Sequence, residues 1–502
     1  MPAKKLSPKV IVTNRSALTA KYGGAGVAKI DAALKALVKA DAARGFATRV
    51  IDLSRAGSKR KKVTDPADPA ENKSAIDGVA KALRPEYLVL LGSKDVIPYQ
   101  DLKNPLYDAL DPDGDNDQYA YGDLPYACEA PYSRNIKDFL GPTRVVGRIP
   151  DLTGASSPGY LVRLLELAAA AKPGPVPKDA FALSTWTWQK STRASVRPLL
   201  DVAPGVLTSP KSGPTYAPAR LGAGLHFVNC HGSDHDRRFL GESASEQFPT
   251  AMDSRKLAGL KRGSVAAFEC CYGAELYDPA DAGGDMSISN AYLKAGVHGV
   301  VASSTIAYGP PDDNANADVI CRVFLEKLIA GASLGRAFLE ARLTLVANQS
   351  VVDPYNSKTL AQFVLLGDPS IHPFAVAAED TRPTKVALAE RTQRRVRLAK
   401  SGERLGKTAA YTVPVAKPDA RTRRLRDALR KRVHRKFEHV RAFTVRDPAP
   451  PKELAKAKGR KQPQRVFVAV REKKRDELVY KLIGLLAYEV DGQLVTMELE
   501  SR

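Results

Sequence analysis

The sequence predicts an α/β protein built on a mostly parallel sheet flanked by helices. Three observations carry that. Apolar runs alternate with segments of helical spacing from Lys9 to Leu366, the pattern of strands joined by crossover helices. Two of the runs end abruptly at residues fit for chemistry. Leu225 to Ser233 reads LHFVNCHGS and ends in His231-Gly232, while Gly263 to Leu276 reads GSVAAFECCYGAEL and breaks at Glu269-Cys270-Cys271-Tyr272-Gly273. In open parallel sheets, ligands and catalytic groups collect just outside the carboxyl ends of the strands.

In chain order, Lys9 to Thr13 reads as a strand, Val27 to Arg44 as a helix and Thr48 to Leu53 as the next strand. Ala75 to Leu83 has helical spacing, and Tyr87 to Leu91 is a buried strand ending in Gly92-Ser93. An acidic loop, Asp108 to Asp123, precedes a strand at Thr143 to Pro150 and an amphipathic helix at Pro158 to Lys172. Pro173-Gly174-Pro175 and Pro177 read as a linker. The alternation then restarts: a strand at Phe181 to Thr187, a helix at Thr192 to Leu200, the His strand at 225–230 and the Cys strand at 265–270. A helix at Ser287 to Ala295, a strand at Val297 to Ser303, helices at Ala315 to Ala330 and Ser333 to Val346, and a strand at Phe363 to Leu366 complete it.

After about Ala375 the texture changes. The chain carries a net charge of +22, and Asp380 to Arg502 holds roughly 33 basic and 15 acidic side chains, so most of the excess sits there. Asp419 to Phe443 reads as a basic helix with Leu425, Leu429, Val433, Phe437 and Val440 on one stripe, suited to docking on the body. Pro448 to Gln464 reads as a flexible segment, and Arg465 to Val470, Leu478 to Val490 and Leu494 to Leu499 as a small antiparallel sheet. Charge of this kind fits a nucleic acid or another acidic partner through residues 380–502. The region is expected to be separable, its deletion leaving activity on small substrates.

No run reaches the roughly eighteen apolar residues of a membrane span. Lys4 and Lys5 precede no long apolar segment before Asn14, so no secretory signal is read. Five cysteines in 502 residues, with no CxxC pair, make neither a disulfide framework nor a zinc knuckle, and point to a reducing, cytoplasmic setting.

A cysteine at a strand end is placed to be a nucleophile, and it needs a base, because few free thiols are ionised at neutral pH. His231 is the candidate base, with His226 and His235 as rivals. Strand side chains alternate faces, so only one of Cys270 and Cys271 can enter a given crevice. Asp111, Asp113, Asp115 and Asp117 stand on alternate positions, hard oxygen ligands suited to a structural Ca²⁺. The twelfth position from Asp111 is Gly122 rather than Glu, so the loop is not an EF-hand.

In order and spacing, LVLLGSKDVIP (Leu88 to Pro98), DQYAYGDL (Asp117 to Leu124), VGRIP (Val146 to Pro150), NCHGS, ECCYGA, VVASSTIAYG (Val300 to Gly309) and FVLLGDPSI (Phe363 to Ile371) resemble the gingipain-type cysteine peptidases, peptidase family C25, of the caspase clan. The resemblance covers roughly residues 85–375 and implies a caspase-like mostly parallel sheet, with an α/β subdomain (1–175) ahead of a catalytic domain (176–375); the small basic α+β region (376–502) is an addition to the family pattern. It implies a Cys/His dyad, a protein or peptide substrate, no required cofactor and a Ca²⁺-binding acidic loop. The chain shows neither the secretion signal nor the pro-segment of gingipains.

By clan pattern, with an acidic residue two before the nucleophile and a small one just before it, Cys271 is favoured. Cys270, four residues in a Cys-x-x-Gly run with Gly273, is the alternative. Glu269 then shares Cys271's face and is expected to meet Arg or Lys in the substrate. Gly232 lets main chain approach the substrate as part of an oxyanion site. Asn229, Ser303 and Ser304, with Tyr308, are assigned to the substrate cleft by family position. The competing functions are a regulated caspase-like defence or signalling protease, and a weakly active scaffold whose basic tail binds an acidic partner.

Overall fold

The first strand, β1 (Ser7–Thr13), buries Val10, Ile11 and Val12 completely, as a central strand of a two-sided layer must. It leads into α1 (Arg15–Ala43), β2 (Phe46–Asp52), α2 (Pro69–Leu83), β3 (Tyr87–Leu91), the hairpin β4 (Gln100–Lys103) and β5 (Tyr119–Gly122), then β6 (Val146–Ile149) and α3 (Gly159–Ala169). Next come β7 (Gly174–Pro175), β8 (Ala180–Ser184), α4 (Gln189–Val196), β9 (Val206–Thr208), β10 (Leu225–Asn229), β11 (His231–Gly232), β12 (Arg238–Leu240), β13 (Thr250–Asp253) and β14 (Val265–Phe268). The body ends with α5 (Ile288–Ala295), β15 (Gly299–Ser303), β16 (Tyr308–Gly309), α6 (Ala317–Ile329), α7 (Leu334–Asn348), α8 (Pro354–Gln362), β17 (Phe363–Gly367) and β18 (Phe374–Ala375). The tail adds β19 (Tyr411–Pro414), α9 (Ala420–Arg432), β20 (Arg441–Arg446), β21 (Arg465–Asp476), β22 (Val479–Val490) and β23 (Gln493–Ser501). This computed structural model describes residues 6–58, 60–111, 114–201, 203–209, 216–245, 247–348, 353–375, 411–433, 437, 439–446, 464–476, 479–490 and 493–501. Asp113, residues 376–410 and nearly all of the Pro/Lys-rich stretch lie outside the described residues.

Ten strands form one sheet in the order β2-β1-β3-β6-β17-β15-β14-β10-β8-β9. Every neighbouring pair is parallel except β15 with β17. The expected mostly parallel sheet flanked by helices is therefore present. The two runs of alternation expected from the sequence meet at β17, where the strand direction reverses, and form one continuous layer. The Pro-rich stretch read as a linker contributes β7, which pairs with β18.

Three departures from the sequence expectation have local causes. Helix α1 starts at Arg15 rather than Val27, because Asn14 caps it by accepting the Ala17 N–H, and a kink at Gly23, with φ +65°, joins two helical pieces. Helix α8 is short and polar, so its periodicity is faint. Asp353 at its N-cap accepts the Tyr355 N–H and Pro354 opens it, which are the readable signals. The basic helix stops at Arg432, not Phe443, and the chain re-enters a strand at Arg441. Its stripe still packs inward: Leu429, Phe437 and Val440 bury against Phe467, Ala469, Leu485 and Ala487.

The tail sheet runs β16-β23-β22-β21-β20-β19, and its first strand belongs to the body. Tyr308 and Gly309 pair with Ser501 and Glu500. Tyr355 of α8, fully buried, donates its hydroxyl to the Ala469 carbonyl at 3.3 Å. At Gly484 a Cβ would lie 2.4 Å from that hydroxyl, so the strand can only pass as glycine. Phe443, Val466, Val468 and Leu486 join the main hydrophobic core. Ending the chain at Ala375 is thus expected to expose β16 and α8, at a cost of roughly 2–3 kcal/mol for each large side chain uncovered. A lower thermal midpoint and slower alkylation of Cys271 in the shortened chain are the measurements; an unchanged midpoint would show the tail to be separable.

Candidate active site

Strands β10 and β14 are parallel neighbours in register, Val228 against Phe268. Three residues beyond that pair stand His231 on one strand and Cys271 on the other. The Glu269 N–H donates to the Val228 carbonyl at 2.8 Å, continuing the pairing past the strand ends. Gly232 then lies flat on Cys271: a Cβ there would fall 1.8 Å from the Cys271 carbonyl oxygen. Only glycine allows that approach.

The imidazole of His231 is held from three sides. Its Nε2 lies 3.1 Å from Glu242 Oε2, and the rings of Trp188 and Phe248 sit 4.6 and 5.1 Å away by centroid. Glu242 is itself anchored, accepting the Thr187 hydroxyl at 2.7 Å on the same oxygen and the Trp186 N–H on its carbonyl. A base oriented by a buried carboxylate is the arrangement of a catalytic triad. Sequence reasoning missed Glu242, because β11 and β12 pair His231 with Leu240 and so carry Glu242 back beside the ring, a tertiary event.

The two cysteines differ in setting. Cys270 is fully buried, its thiol 3.8 Å from the Val228 carbonyl, and burial pushes its pKa far up. Cys271 keeps a small exposure, and its sulfur accepts the Ala307 N–H at 3.2 Å and lies 3.6 Å from the Ala307 carbonyl. A main-chain donor of that kind stabilises a thiolate. Tyr272 follows with φ +55°, unusual for a tyrosine, and is fixed there by its N–H to the Thr305 carbonyl (3.1 Å) and its hydroxyl to Asp117 (2.9 Å).

Other predicted residues fall elsewhere. His226 is a core histidine, bonded to the Tyr292 hydroxyl and the Ala223 carbonyl, and burial lowers its pKa to about 4. His235, with φ +51°, sits on the rim. Asn229 is buried and donates to Thr192. Ser303 bonds the Thr305 carbonyl and Ser304 the Tyr121 carbonyl, so both brace the turn behind Cys271. Glu269 is fully buried, with no surface open to the crevice. Cys128 and Cys321 are buried, and burial pushes the Cys128 thiol up to about 12.

In the acidic loop, Asp115 and Asp117 converge on a protein cation. Lys358 Nζ lies 2.5 Å from Asp115 and 3.1 Å from Asp117. Among the described residues no cluster of three or more His, Cys, Asp or Glu side chains could hold a metal, and Asp111 does not join these two. The described residues therefore do not fit a calcium ion.

The model of peptidase family C25 matches residues 9–374. The chain belongs to that family. It is a cysteine-type peptidase, and the His and Cys strands both lie inside the matched residues. No curated protein matches the sequence. Among solved structures, this C25 peptidase is similar to one described as a protease, at 12% identity and a TM-score of 0.48 over 98% of this chain and 97% of that one. It is also similar to the separase–securin complex of Saccharomyces cerevisiae, at 13% identity and a TM-score of 0.31 over 45% of this chain and 14% of that one.

One titration reports on the C25 site. Glu275 accepts the His235 N–H at 2.8 Å, tying the loop after His231 to the loop after Cys271. Burial, above all, raises its pKa from 4.5 to about 7. The folded chain holds that proton more tightly than the unfolded chain. The stability it contributes is full below pH 4.5 and is lost as pH rises through about 7. At about 1.4 kcal/mol per pH unit the change is on the order of 3 kcal/mol. Glu275→Gln is expected to flatten denaturant-measured stability over that window by this amount; parallel curves for the two proteins would contradict it.

Proposed function

We propose that this peptidase is an endopeptidase working through a Cys271/His231 dyad. Cys271 Sγ, as thiolate, attacks the scissile carbonyl carbon; His231 gives its proton to the leaving amine as the C–N bond breaks, leaving a thioester. Water, deprotonated by His231, then attacks the thioester and the C–S bond breaks, restoring the thiolate. Main-chain N–H groups at Gly232 and Cys271 serve the oxyanion. The observation that carries this is the shared register of β10 and β14, which ends one strand in a carboxylate-bound imidazole and the next in a hydrogen-bonded sulfur.

A preference for Arg or Lys fits the charge around the crevice. Asp234 is exposed at the rim and Glu275 stands behind it. Asp234 suits recognition of a cationic side chain better than the fully buried Glu269 does. The exposed Arg421, Arg423, Arg424 and Lys431 on α9 support a second contact, with a nucleic acid or acidic protein. The absence of a disulfide among the five buried thiols is in keeping with a reducing compartment such as the cytoplasm.

An activity-based probe with an Arg recognition group is the test. Labelling is expected in the wild type and in Cys270→Ala, with loss by more than about a hundredfold in Cys271→Ala and by roughly 10²–10⁴-fold in Glu242→Gln. Labelling that survives Cys271→Ala, or stronger labelling by a probe with an acidic group, would overturn the nucleophile or the specificity, respectively.

A further inference from the structure

We infer that Lys358 is a built-in cation that takes the place of a metal in the acidic loop and so positions the nucleophile, a role that rests on Cys271 being the attacking residue. Lys358 is fully buried on α8, and a buried ammonium is costly unless it is paired. Its partners specify its place: Asp115 at 2.5 Å, Asp117 at 3.1 Å and the face of the Tyr308 ring, 5.5 Å to the centroid.

Besides the Asp117 N–H, which Asp115 accepts at 3.1 Å within the loop, the two carboxylates hold the segment behind Cys271. Asp117 accepts the Ile306 N–H at 2.8 Å and the Tyr272 hydroxyl at 2.9 Å. Asp115 accepts the Tyr308 hydroxyl at 3.0 Å. Ile306 and Tyr308 flank Ala307, the residue whose N–H binds the Cys271 sulfur, and Tyr272 follows Cys271 itself. Gln362, one helical turn beyond Lys358, donates to the Ile306 carbonyl at 2.9 Å. The thiol's donor is therefore clamped on both sides by acids that, among the described residues, Lys358 alone neutralises with a full charge. A calcium ion would need six or more oxygens in this place, whereas one ammonium satisfies the two carboxylates directly.

Lys358 acts as a positioning residue, since it touches neither substrate nor sulfur. The test follows iodoacetamide alkylation of Cys271 as a function of pH, which needs no turnover. The wild type is expected to react at the same rate in chelator and in millimolar calcium. Lys358→Met is expected to react roughly ten- to hundred-fold more slowly, with its pH profile moved upward. Lys358→Met combined with Asp115→Asn and Asp117→Asn removes all three charges, keeps the acceptors and is expected to regain much of the rate. A wild type that loses the rate in chelator and recovers it with calcium would overturn the inference. So would a triple variant as slow as Lys358→Met, or a Lys358→Met protein that matches the wild type. If no peptide were cleaved but these rates held, the peptidase reading would fail and the clamp would stand.

Discussion

The parallel pairing of β10 with β14 is the constraint on which the site depends. It needs no polar chemistry: Leu225, Phe227, Val228, Val265 and Phe268 are all buried, and the ladder sets one register. A slip of one residue along that ladder would move the loop that follows each strand, and with it His231 or Cys271, out of its present place. The absence of a Cβ at Gly232 then lets the two strand ends touch. His231 and Cys271 are thus placed by an apolar core, and polar contacts refine where their side chains sit.

That refinement comes from carboxylates reached across long sequence distances. Glu242 orients His231 through a hairpin, Glu275 links the loop after His231 to the loop after Cys271, and Asp115 and Asp117 arrive from the N-terminal half. The same device recurs away from the site. Arg148, buried on β6, is fixed by both oxygens of Asp123, and Lys9 on β1 is fixed by Asp41 and Asp368. Ion pairs of this kind add little net stability over apolar packing, but breaking one leaves an uncompensated charge inside. They act mainly to fix which segments meet.

This division explains what could be read from the sequence. Strands β3, β10, β14 and β15 are mostly apolar runs, so their existence and the turns after them were legible. The His strand was legible from NCHGS, but the hairpin that returns Glu242 to it was not, since three short strands carry no strong periodicity. The alternate aspartates of the acidic loop suggested a Ca²⁺ site, whereas the cation that Asp115 and Asp117 share is an ammonium. Its identity as Lys358 could not be read, because that residue lies 241 positions beyond Asp117, on a helix with little helical patterning. Glu269 was assigned to the substrate pocket by strand alternation, but the strand ends at Phe268, so alternation no longer decides where its side chain goes, and it is fully buried.

The tail illustrates how charge can mislead about architecture. Its excess of basic residues invites the picture of an appended binding module. Yet its apolar residues decide where it sits: Phe443, Val466 and Val468 enter the body's core, and the body lends β16 to the tail's sheet. Strand β16 begins at Tyr308, one residue after the N–H that binds the Cys271 sulfur. Helix α8 meets the same sheet through Tyr355 and presents Lys358 and Gln362 to the nucleophile's support.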